Sequence, residues 1–182
     1  MTPILGILAS GISGNLETNS YESIATITPY TTTTTVAFSS IPSTYRHLQL
    51  RAFAASSAAA NYIIRINGDT ANNYSWHYIE GSGTGTGSVG NAVADSKLLG
   101  GVITNTGSMY TSIIMDFLDY KETTKYKTSR SWSGVDLNGS STWLNFFSGI
   151  WNGSSAINNI TISLGGATFA ANSHWALYGI KG

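Results

Sequence analysis

The chain has 182 residues and nine Lys and Arg against nine Asp and Glu, a charged fraction of 10%, where about 25% is ordinary. A formal charge of zero and a pI near 6.8 exclude the basic field that collects nucleic acid or anionic lipid. With no cysteine, disulfides, thiolate-bound zinc and a thiol nucleophile are excluded as well. A neutral surface rich in hydroxyl and aromatic groups repels itself weakly, so it favours association with copies of itself or with a partner. Good helix formers are scarce, with Glu only at 17, 22, 80 and 122, while Thr, Ser, Gly, Tyr and Ile abound. That supply predicts an all-β domain large enough to bury its own core.

Residues 1–20 read as an N-terminal arm and 21–182 as the β domain. The arm carries Pro3, Ile4, Leu5, Ile7, Leu8, Ile12 and Leu16, interrupted by Gly6, Gly11 and Gly14, which oppose a stable helix. An apolar segment that cannot fold alone needs a neighbour to cover it, so these side chains are the expected anchor on a partner. A frayed terminus, or a first strand of the core, is the plainer reading of the same residues. The apolar run from Pro3 to Ala9 is too short to cross a bilayer, and the first basic residue is Arg46, so no basic signal-peptide start precedes it. The expected location is the cytoplasm until assembly.

From Tyr21 onward short strand-like bursts alternate with turn residues. Strands are expected at 21–28, 36–38, 45–53, 61–67 and 73–79. In 45–53, Leu48, Leu50 and Ala52 alternate with His47, Gln49 and Arg51, the pattern of a half-buried strand with a polar outer face. In 73–79, Tyr74, Trp76 and Tyr78 share one face. The glycine-rich stretch 80–91 reads as a flexible loop. Further strands are expected at 97–104, with a glycine bulge, and at 110–120, 125–132, 141–151, 157–164 and 173–180. About ten evenly spaced strands predict a jelly-roll-like antiparallel β-sandwich whose last strand pins the C-terminus in a sheet.

No residue set announces a reaction, and neither a catalytic group, a metal nor a cofactor is implied. His47, His77 and His174 lie far apart without a second ligand at i+2 or i+4, so they read as structural. Asp116 and Asp119 point to opposite faces of one strand and suit pairing with Lys125, Lys127 or Arg130 better than acid–base work. Asp136-Leu-Asn-Gly139 lacks the acidic ligands and closing Glu of a calcium loop and reads as a hairpin corner. Gly81 to Gly90 is no phosphate loop, having neither Gly-Lys-Ser/Thr nor a following helix. The sequons at Asn73, Asn138, Asn152 and Asn159 reflect composition. Trp76, Trp132, Trp143, Trp151 and Trp175 most simply fill the core. Trp143 and Trp151 are the two that could offer a ring face to a sugar.

Several strings occur together: PILGILASGISGNL, SYESIATIT, FSSIPSTYRHLQLRAF, INGDTANNYSWH, FLDYKETTKYKTSRSWSG, DLNGS and the terminal HWALYGIKG. Over Pro3 to Gly182 they resemble a family of virion structural proteins of tailed bacteriophages, frequent in environmental and cyanobacterial phages. The resemblance implies a non-enzymatic β-sandwich on the virion surface, assembled in the host cytoplasm, and a homotrimer. Its implied partners are the major capsid protein or other virion proteins, with neither nucleic acid nor membrane. A capsid decoration (cement) protein would latch on through the arm. A tail-fibre or receptor-binding module, lectin-like, would instead present loops 81–91 and 136–156 to a host glycan.

Overall fold

The computed structural model describes residues 20–82, 85–105, 109–137 and 140–181. The anchor residues Pro3, Ile4, Leu5, Ile7, Leu8, Ile12 and Leu16 lie outside the described residues. Twelve strands and no helix occur among those described. One sheet has eight strands in the order β1 (Tyr21–Ile27), β12 (His174–Ile180), β3 (His47–Ala54), β8 (Thr111–Leu118), β9 (Lys127–Leu137), β10 (Ser140–Trp151), β5 (Tyr74–Ser82) and β6 (Gly85–Asp95). The other has four, ordered β2 (Thr35–Phe38), β11 (Ile160–Leu164), β4 (Ala60–Ile66) and β7 (Leu98–Ile103).

The pairings identify the topology. β1 pairs with β12 and β2 with β11, while β3 pairs with β8 and β4 with β7, all antiparallel. The chain is therefore a long ribbon folded over on itself, which is the jelly roll expected from the strand spacing. Two hairpins are inserted into that ribbon: β5–β6 between β4 and β7, and β9–β10 between β8 and β11. Both join the large sheet beyond β8 and double its width from four strands to eight.

The large sheet contributes Leu48, Leu50, Ile113, Met115, Phe117, Trp175 and Leu177 to the core, and the small one Val36, Phe38, Tyr62, Ile64, Ile66, Ile160 and Ile162. Each set follows the period of two that a sheet buried on one face requires. Phe169 closes one end, its ring edge-on to Trp175 at 5.0 Å. β12 lies between β1 and β3, so the C-terminal strand is held on both sides.

The structure corrects the reading of 80–91. It is not a loop but the end of β5 and most of β6, with Tyr78 opposite Gly90 and Ile79 opposite Val89. A glycine at every second position has the period of a strand, and at Gly90 an added Cβ would overlap the Tyr78 ring. Likewise 136–156 is largely the paired β9–β10 hairpin, in which Leu137 meets Ser140 across the corner. The segments assigned to glycan presentation are thus largely ladder.

The polar inner face of β9 is a second departure. Ser129, Ser131 and Ser133 point inward and are buried, while Trp132 points out. The small inward groups admit β7 closely: the Tyr62 hydroxyl meets Ser131 Oγ, and Ser131 Oγ donates to the Gly100 carbonyl. The Val102 N–H, on the strand edge, donates to Asn145 Oδ1 at 3.1 Å. Edge groups that would otherwise template aggregation are thereby satisfied. Gly101 has φ +131° beside this seam, and a Cβ there would collide with Ser133 Oγ. Gly101→Ala should therefore lower the melting temperature by about 4–8 °C, the equivalent of about 2 kcal/mol, in a calorimetric scan.

Candidate functional site

From β12 to β10 the inner face of the large sheet packs into the core through Leu177, Leu50, Met115 and Trp151, and the outer face of the same strands is left to meet the surroundings. Strand register assigns that face: Arg51, Ile114, Trp132, Phe146 and Ile79 stand directly opposite one another across β3, β8, β9, β10 and β5. From Ile114 to Ile79 all four are apolar, a row about 14 Å long at the usual strand spacing. Phe53 and Leu144 both stand on the adjacent row, with Ser112 and Gly134 between them. Trp132 is 53% exposed, Leu144 57%, Ile79 57% and Phe53 60%. Trp132 and Phe146 pack with ring centroids 4.7 Å apart, which fixes the orientation of the exposed indole.

The other half of the same face is polar and braced. Gln49 Nε2 donates to Asp116 Oδ1 at 2.8 Å, and Arg51 Nε donates to Gln49 Oε1 at 2.6 Å. The Arg51 guanidinium lies over the rings of Tyr21 and Tyr178, 5.1 Å from each centroid. The expected polar outer face of β3 holds for this network, but Phe53, opposite Ser112 on the next row, is apolar and exposed. Shallow depressions corrugate the face: one of about 150 Å³ between Ile114, Trp132 and Leu144, one of about 280 Å³ beside Phe53 and Tyr178, and one of about 390 Å³ around His77, Asn91 and Ile150. The face also carries His77, which lines the 390 Å³ depression, and His174, beside Phe53. Chemically, it can bury against a complementary face.

The residues singled out from the sequence are dispersed. His47 Nδ1 accepts the Asp119 N–H at 3.0 Å, and His174 Nδ1 lies 2.9 Å from Thr28 Oγ1. His77 sits on the outer face, far from both in the strand order. Among the described residues no three His, Asp or Glu side chains gather as metal ligands. Asp119 pairs with Lys125 at 3.3 Å, one of the three cations expected for it, and that hydrogen bond holds its carboxyl below the usual range.

The two candidate sugar-stacking rings separate. Trp151 is 3% exposed and its indole N–H donates to Asp69 Oδ2 at 2.7 Å, so its faces are occupied by the core. Trp151 is therefore a structural residue and not a stacking platform. Burial opposes ionisation of Asp69, but hydrogen bonds from Trp151, Asn73 and the Ala71 N–H outweigh it and lower its pKa. Trp143 is half-buried and lines a depression of about 510 Å³ with Leu144, Val135 and Gly81. Trp132, taken as a core residue from the sequence, belongs instead to the exposed row. The signal that could have found it is the inverted pattern Ser129-Arg-Ser-Trp-Ser133, in which the small residues are the buried ones.

No protein-family model matches the chain, and neither a curated protein nor a solved structure matches it.

Proposed function

We propose that this chain is a non-enzymatic structural subunit of a tailed-phage virion, a homotrimeric decoration protein on the capsid surface. The observation that carries the reading is the row Ile114–Trp132–Phe146–Ile79, an outward apolar stripe on a domain with no net charge and only 10% charged residues. Monomeric proteins seldom leave such rows uncovered, and the two inserted hairpins that supply most of the row enlarge one sheet without enlarging the opposite one. Burial of such surface favours association at about 25 cal/mol per Å², less the cost of ordering the partners. The arm residues Pro3 to Leu16 add a second apolar contribution suited to anchoring on the particle. The phage-like strings over Pro3 to Gly182 supply the particle in this reading.

Sedimentation of the purified chain at micromolar concentration tests the first half. The wild type should sediment as a trimer, and Trp132→Ser combined with Leu144→Ser should raise the dissociation constant by about a hundredfold or more while leaving the sheet folded. Deletion of residues 1–16 should abolish joining to particles. A wild type that stays monomeric, or a truncated chain that still decorates particles, overturns the respective half. A labelled chain present in many copies over the shell marks a capsid protein, and one confined to the tail marks a receptor-binding module instead.

A further inference from the structure

At the end of the sandwich where β3 begins and β8 and β12 end, six charged residues gather around one cleft. Arg46 enters from the turn before β3, Asp119, Lys121, Glu122 and Lys125 from the β8–β9 connection, and Lys181 from the chain after β12. The cleft measures about 570 Å³, a size that suits a small ligand. The chain has eighteen charged residues in all, so this one depression concentrates a third of them. Four cations against two carboxylates give its lining a positive balance in a molecule whose total is zero.

Two of the cations are already engaged: Lys125 with Asp119 at 3.3 Å, and Lys181 with Glu22 at 3.1 Å. Arg46 and Lys121 make no ion pair within 4 Å among the described residues. The floor is fixed from beneath, because the buried Lys127 ammonium donates to the carbonyls of Glu122, Lys125 and Ser154. The rim is fixed as well: the Arg46 N–H donates to the Ile180 carbonyl at 2.8 Å, tying the turn to β12.

We infer that this cleft is a binding site for a carboxylate-bearing sugar. Arg46 and Lys121 supply the charge-assisted donors that a carboxylate requires. Glu122 and Thr44 supply what a bare anion would not use, acceptors and a hydroxyl for the ring hydroxyls. A simple oxyanion such as phosphate would be held by the cations and repelled by Glu122, whereas a polyhydroxy acid engages both signs. The inference stands apart from the assembly role, since none of these residues belongs to the apolar row.

Calorimetric titration of the full chain with glucuronate, N-acetylneuraminate, glucose and inorganic phosphate tests it. Saturable binding of at least one acidic sugar is expected, weakening as salt is raised, with glucose silent. Arg46→Gln combined with Lys121→Gln should weaken that binding by about tenfold or more, while Lys97→Gln, between β6 and β7 and outside the cleft lining, leaves it unchanged. Thermal melting of each variant confirms that the fold is retained, as expected for an exposed Arg46 and a half-buried Lys121 that make no ion pair within 4 Å among the described residues. No saturable binding of either acid, glucose binding equally well, or an undiminished affinity in the double variant each overturns the site. Phosphate binding as tightly as the acidic sugars overturns the ligand class and leaves a general anion site.

Discussion

Lys127→Met is expected to cost about 3–5 kcal/mol of folding stability, a larger effect than any surface charge change in this chain. Lys127 is the first residue of β9 and points inward, 1% exposed. Its ammonium donates to three backbone carbonyls: Glu122, Lys125 at 2.8 Å and Ser154 at 3.3 Å. The first two lie in the β8–β9 connection and the third follows β10, so one side chain ties two turns together. Methionine keeps the apolar stem and the volume but takes the shared donor away from all three carbonyls. Lys125→Met makes the contrast, since its pair with Asp119 is largely exposed and such pairs contribute about 0–1 kcal/mol. Chemical denaturation of the two variants should separate them by several kilocalories. Equal stabilities would mean that the connection holds itself without the ammonium. A loosened connection should also weaken the end cleft, because Asp119, Lys121, Glu122 and Lys125 all ride on it.

The strands most legible in the sequence are those with one apolar face and one polar one. Leu48, Leu50 and Ala52 alternate with His47 and Arg51, and the predicted strand is within a residue or two of β3. In β8 the alternation fails at Ile113-Ile114-Met115, and the structure explains why: Ile113 and Met115 face the core while Ile114 belongs to the exposed row. An apolar residue of the wrong parity is thus the visible trace of the outer apolar row. β9 misleads in the opposite sense, since its serines are inside. Sequence pattern assumes that polar means outward, and it fails where two sheets approach so closely that only Gly100, Gly101 and hydroxyls fit. β6 hides in the sequence because its glycine-rich composition is that of a loop while its period is that of a strand. The end cleft was illegible for a different reason: residues 46, 119–125 and 181 meet only once the ribbon's folding places the start of β3 beside the ends of β8 and β12.

Raising the pH from 10 to 12 should unfold the domain, and the sign follows from three phenols. Tyr62 and Tyr74 are fully buried, and burial pushes both hydroxyls up, Tyr74 to about 12 against an ordinary 10. At Tyr62 the Ser131 hydrogen bond opposes that rise, and at Tyr74 the bond from the Ile66 N–H does so, without cancelling it. Tyr120 is raised in the same direction by burial, against a bond from the Tyr45 N–H. In the unfolded chain these phenols lose their protons near pH 10, while the folded chain keeps them. Between the two values the unfolded state therefore binds fewer protons, and stability falls as pH rises. For Tyr74 alone two pKa units correspond to about 2.7 kcal/mol, fully lost by about pH 12. Tyr62 and Tyr120 add losses of the same sign. Burial lowers the Lys127 pKa, which works the other way: its folded state sheds a proton first, so a gain accrues as pH approaches 10.5. Absorbance at 295 nm followed alongside circular dichroism distinguishes the cases. Part of the phenolate signal should appear only together with the loss of β structure. If all ten tyrosines ionise near pH 10 while the β signal persists, the phenols at Tyr62 and Tyr74 are reached by water and the sealed seam between β4, β7 and β9 does not exist as described.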